Sequence, residues 1–141
     1  MDWLSYISQV NWLAVLLAFI ASMAIGFLWY LPAVLGTRWM EAIGKTEEDL
    51  KNGEGGAGIW LPMMVYAALT AVLLAVLIAK LGLDTALAGG LFALVLAVVF
   101  RAGGHVIHNG FAGRLPAVTL IDSGHDVLAM TAAGVIIGAM S

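Results

Sequence analysis

The sequence predicts an all-α polytopic membrane protein, a four-transmembrane-helix bundle with a short interfacial helix between the first and second spans. Two observations carry this. Hydrophobic residues make up 62% of the chain and charged residues 11%, against about 45–50% and about 25% in soluble domains, and the mean hydropathy is +1.02. The apolar residues fall into four runs, each near the ~20 helical residues that cross a hydrocarbon core of ~30 Å. The 141 residues form a single membrane domain, with spans at about 10–35, 59–80, 86–108 and 116–140.

The first run has no charge from Val10 to Leu35, and Trp12 and Trp29-Tyr30 bracket it where amphipathic rings prefer the two interfaces. No basic flank and no small-residue cleavage site accompany it, so it is expected to remain as an uncleaved anchor. In the connector, Trp39, Met40 and Ile43 share a helical face while Arg38, Glu41 and Lys45 point elsewhere, the pattern of a helix lying along the interface. Thr46 and Asp49 have capping-box spacing, predicting a further turn to Lys51 that Asn52-Gly53 ends. Trp60 and Pro62 open the second span and Lys80 closes it. The third is purely apolar only from Thr85 to Phe100, too short to cross, so Arg101 and His105 belong to the same helix. Pro116 suits the first turn of the fourth span.

Four spans put Arg38, Lys45, Lys51 and Arg114 on one side and Lys80 on the other. The positive-inside rule then places both termini outside the cytoplasm. Every helix carries small residues at regular spacing: Ala14, Ala18, Ser22 and Gly26; Ala67, Ala71, Ala75 and Ala79; Gly90, Ala97 and Gly104; Gly124, Thr131 and Gly138, with Gly134 and Gly138 as a small-xxx-small pair. In lipid, where close packing drives helix association, these ladders predict a tight bundle and a homo-oligomer.

The net charge of -3 includes no basic run, which sets nucleic acid aside as a partner. The absence of cysteine removes disulfides, thiolate metal sites and cysteine nucleophiles. Gly53-x-Gly55-x-x-Gly58 follows no strand and precedes a span, so it reads as a flexible linker rather than a dinucleotide site.

The segment Gly26-Phe27-Leu28-Trp29-Tyr30-Leu31-Pro32, followed by Gly36, Trp39-Met40, Gly44 and Thr46-Glu47-Glu48-Asp49-Leu50, resembles the start of a bacterial membrane family catalogued as domain of unknown function seventeen sixty-one. Gly113-Arg114-Leu115-Pro116 and Leu120-Ile121-Asp122-Ser123-Gly124-His125 resemble its closing hairpin. The resemblance implies a four-helix protein of the bacterial inner membrane and brings no function with it.

Ionisable groups inside a span cost about 2.5–3.5 kcal/mol each on insertion scales, so they face the bundle interior and mark function. Arg101, His105 and His108 have the spacing of one face of the third helix, and Asp122, His125 and Asp126 that of one face of the fourth. A turn at Asn109–Arg114 would join the two as an antiparallel hairpin. Counting outward from its centre sets Arg101 level with Asp122 as an ion pair and His105 near Thr119. It leaves Asp126 level with Val98 and Val99, with no partner on the third helix.

Three readings follow. Arg101, His105, Asp122, His125 and Asp126 form a polar pathway for protons or small cations, since His and Asp chains serve as relays. Alternatively His105, His108, Asp122 and His125 hold a divalent metal of the zinc or non-haem iron type, in a membrane-embedded metal-dependent enzyme. In the third the charges only lock a structural or scaffolding protein together. No cofactor is expected outside the metal reading, and no residue is assigned as catalytic.

Overall fold

The computed structural model describes residues 3–52 and 56–141. It contains helices α1 (Trp3–Ile7), α2 (Trp12–Trp29), α3 (Thr37–Ile43), α4 (Glu47–Asn52), α5 (Gly56–Leu81), α6 (Ala86–Leu96), α7 (Gly103–Phe111) and α8 (Pro116–Ala139). Among the described residues there is no strand. Among the described residues four helices are long and apolar enough to cross a bilayer: Trp12–Trp29, Trp60–Leu81, Ala86–Phe111 and Pro116–Ala139. The linker's Gly53 and Gly55 lie outside the described residues.

Local chemistry sets the helix ends. Asn11 caps α2, its side-chain oxygen accepting from the N–H groups of Leu13 and Ala14. The expected first span is shorter than read: α2 stops at Trp29, and a π-helical turn at Pro32–Gly36 swings the chain back. A side chain at position 36 would collide with the carbonyl of Tyr30, so only glycine allows this fold-back. The capping box is present: Thr46 N–H donates to Asp49 Oδ2 at 2.8 Å and Asp49 N–H to Thr46 Oγ1 at 3.1 Å. These bonds hold the exposed Asp49 carboxyl below its usual range. Pro62 does not open the second helix but lies inside it, since α5 already starts at Gly56.

The third span runs through α6, a second π-helical turn at Ala97–Ala102, and α7. The π turn contains Arg101, and Gly103 N–H closes it on the carbonyl of Val98. Such bulges recur at functional sites because they re-aim one side chain within a continuous helix.

Small residues make the core. Ala14, Ala18, Ala71, Ala75, Ala93 and Ala133 are buried with Leu74, Ile78 and Ile137. The closest approach is between α6 and α8, where a Cβ added at Gly134 would stand 2.5 Å from the Gly89 carbonyl oxygen, and one at Gly138 3.0 Å from the Gly89 Cα. The Gly134–Gly138 pair is therefore a helix-packing seam. The longer ladders do not act as units. Gly124 seats the Trp29 indole instead, and an added Cβ at Gly104 would meet nothing within 4 Å.

Candidate functional site

The ionisable residues gather around Asp126, ten residues after Pro116 and about 15 Å along α8 at 1.5 Å per residue. Arg101 Nη2 lies 2.6 Å from Asp126 Oδ2, and His105 Nε2 lies 2.9 Å from the same oxygen. His125 Nδ1 stands 3.0 Å from Oδ1. An acceptor-only carboxylate suits all three contacts, so each imidazole turns an N–H toward it. The Asp126 side chain retains 13% exposure, His105 27% and Arg101 35%. The Arg101 guanidinium also lies over the Tyr66 ring, 4.8 Å from its centroid.

This corrects the expected pairing. Arg101 does not meet Asp122, and Asp126 is the best-partnered carboxylate of the cluster. The cause is the position of the hairpin turn. The third span continues to Phe111, and Gly113, with φ of 63°, ends it: Arg114 N–H closes on the Asn109 carbonyl at 2.9 Å. The centre moves from between Phe111 and Ala112 to between Gly113 and Arg114. A shift of two residues in the centre moves the facing residue by four, one turn of α8.

Asp122 has a different task. Its Oδ1 accepts from Tyr30 Oη at 2.7 Å and from Trp39 Nε1 at 2.9 Å. The Tyr30 and Trp39 rings meet edge to face at 5.3 Å. Beside them Trp29 Nε1 donates to the Ile121 carbonyl at 3.0 Å. The end of the first span and the connector helix are thus bolted to α8 through indole and phenol donors. Trp29 and Tyr30, expected as interface anchors, turn into the bundle instead. Sequence spacing marks none of Trp29, Tyr30, Trp39 and Tyr66 as a site residue; the signal is that aromatic N–H and O–H groups inside a bundle need acceptors, as Tyr30 and Trp39 find in Asp122.

His105 and His125 flank one carboxylate, whereas His108 is exposed. The set His105, His108, Asp122 and His125 is not brought together, and the described residues contain no group of three His, Cys, Asp or Glu side chains placed to hold a metal. The remaining nitrogen of His125, Nε2, packs against Gly26, where an added Cβ would come within 3.1 Å, and it has no hydrogen-bond partner among the described residues.

A cavity of about 580 Å³ opens onto this cluster between α2, α5 and α8, with Arg101, His125 and Asp126 in its wall and Ala71 and Ala133 at its inner end. A smaller cavity of about 210 Å³ enters from the opposite end of the bundle, beside Asn11, Asp84 and Ser141, and reaches Ala75 and Ile137. Ala71 and Ala75 are one helical turn apart, as are Ala133 and Ile137. Only about 6 Å of packed small and aliphatic side chains separates the two.

Four membrane-length helices around a partly buried charged cluster define a polytopic helical membrane protein. The chain belongs to the family DUF1761, described as "Protein of unknown function", whose family model matches residues 13–138. No curated protein and no solved structure matches it.

Proposed function

We propose that the protein is a conduit or transporter for protons or small cations in the bacterial inner (cytoplasmic) membrane, acting as a homo-oligomer with both termini outside the cytoplasm. The observation that carries this reading is the pair of cavities that enter from opposite ends and stop one helical turn apart, the wider one with Arg101, His125 and Asp126 in its wall. A proton reaching the wide cavity meets His125 in its wall, 3.0 Å from the Asp126 carboxylate, and His105 stands 2.9 Å from the same carboxylate behind it. Arg101 is a fixed charge that keeps the carboxylate in place. Passage then needs only a small displacement of the Ala71–Ala75 and Ala133–Ile137 turns, the kind of helix shift that packed bundles make.

Orientation rests on Arg38, Lys45 and Arg114, which lie at the hairpin end, against Lys80 at the other. The open surface at Gly104 supports association between copies. The test is acidification of protein-containing liposomes loaded with a pH-sensitive dye under an imposed potential, repeated with sodium and potassium gradients. Flux above that of protein-free liposomes is the expected result. Its absence for all three cations overturns the proposal.

A further inference from the structure

The wall of the wide cavity is largely apolar. Its lining includes the rings of Phe27, Tyr30, Trp60 and Tyr66 and the thioethers of Met63 and Met130. Its volume of about 580 Å³ falls within the roughly 300–1,000 Å³ typical of sites for small molecules. The membrane-facing residues beside it are apolar too: Phe27 is 69% exposed and Trp60 62%.

Besides His125 Nε2, Arg101 is a polar group in this wall with donors to spare. A guanidinium has five N–H donors, and Asp126 takes up Nη2 of Arg101. No other hydrogen-bond acceptor for Arg101 occurs among the described residues, and Tyr66 covers the guanidinium with a ring face rather than an oxygen. The Arg101 side chain keeps 35% exposure, so these donors stand open to a molecule in the cavity. The charge, however, is already balanced, because Asp126 lies against Arg101. An added anion would face the Asp126 carboxylate in the same wall. The site therefore asks for a neutral oxygen acceptor on a flat apolar body that fits between aromatic rings.

We infer that this cavity binds a neutral, planar, membrane-soluble carbonyl compound of the quinone or aromatic ketone class, with a carbonyl oxygen accepting from the free N–H groups of Arg101. This goes beyond the transport reading and does not depend on it: a chain that moves no cation still binds the ligand.

The experiment is calorimetric titration of the full chain in lipid nanodiscs, with empty nanodiscs subtracted. The probes are naphthoquinone, dimethoxynaphthalene, which keeps the ring but lacks the carbonyls, and the anion naphthoate. Saturable binding of one naphthoquinone per chain is expected. The dimethoxy compound should bind about tenfold more weakly, the scale of one lost hydrogen bond to a charged donor. Arg101→Lys keeps the charge but not the fork of donors and should weaken naphthoquinone by about fivefold or more. Ala67→Trp fills the cavity away from the charged cluster and should abolish binding while the protein still melts cooperatively. Three results overturn the inference: no saturable binding, equal binding of naphthoquinone and dimethoxynaphthalene, or tighter binding of naphthoate. Binding that survives a folded Ala67→Trp places the ligand elsewhere and overturns it as well.

Discussion

Asp126 accepts from Arg101 at 2.6 Å, one turn of α8 deeper than the carboxylate of Asp122. Breaking a buried ion pair from one side leaves the other charge uncompensated, at about 3–5 kcal/mol. Because the Arg101 side chain keeps 35% exposure, the lower end of that range applies. Arg101→Ala should therefore lower Tm in detergent more than the double change Arg101→Ala with Asp126→Asn. The double change with Asp122→Asn should show additive losses, and the reverse ranking would restore the pairing counted from the sequence.

Asp122 holds the connector to the bundle through two donors. Tyr30→Phe and Trp39→Phe each remove a hydrogen bond to a charged acceptor, worth about 1.5–3 kcal/mol, and leave the ring packing in place. Each should lower Tm, and Tyr30→Phe should also shift Trp39 fluorescence to the red as α3 loosens from α8. An unchanged spectrum and Tm would mean that the Asp122 contacts carry no weight.

The seam between α6 and α8 has no room for a methyl group. Gly134→Ala and Gly89→Ala should each cost about 1–3 kcal/mol by overpacking, seen as a lower Tm. Gly104→Ala, where an added Cβ meets nothing within 4 Å, should change Tm little in monomeric detergent preparations. Equal effects at the three positions would contradict the packing described.

The Thr46–Asp49 box gives a pH dependence outside the membrane. Its hydrogen bonds depress the Asp49 pKa, so its stabilising contribution is complete above the ordinary carboxylate range. It is lost only as the pH falls through the lowered folded value. Backbone amide signals of α4 should keep their helical shifts at neutral and mildly acid pH and lose them in strong acid. Thr46→Val should move that loss to higher pH.

Topology has a direct readout. A reporter active only in the cytoplasm should be silent when fused after Ser141 and active when inserted near Gly55. The opposite pattern would invert the orientation and leave the four helices untouched.

Much of this fold was legible because bilayer thickness leaves few choices: uncharged runs of about 20 residues had to be spans. The capping box at Thr46 and Asp49 and the first-turn position of Pro116 were also readable, since each is local chemistry. The partner of Asp126 was not read, because facing residues in a hairpin depend on the turn centre with a twofold lever. A turn spread over Asn109–Arg114 puts its centre between Phe111 and Ala112. The better signal was Gly113 followed by Pro116, the order in which a left-handed cap precedes a helix start. The inward turn of Trp29, Tyr30 and Trp39 depends on the π-helical fold-back at Pro32–Gly36, which no periodicity announces. The cavities are equally invisible in sequence, because each is lined by residues from several segments rather than from any one.

The central claim is that Asp126 with its imidazoles, and not Asp122, is the site through which a proton passes. The measurement is proton flux into liposomes carrying wild type, Asp122→Asn, Asp126→Asn, and Asp126→Asn with Arg101→Gln, each with its Tm recorded. Asp122→Asn should retain flux, because an amide oxygen still accepts from Tyr30 and Trp39. Asp126→Asn should lose flux and some stability; the double change should regain stability by removing the orphaned guanidinium and remain without flux. Flux that persists in the stable double variant, or disappears in Asp122→Asn at unchanged Tm, would contradict the account.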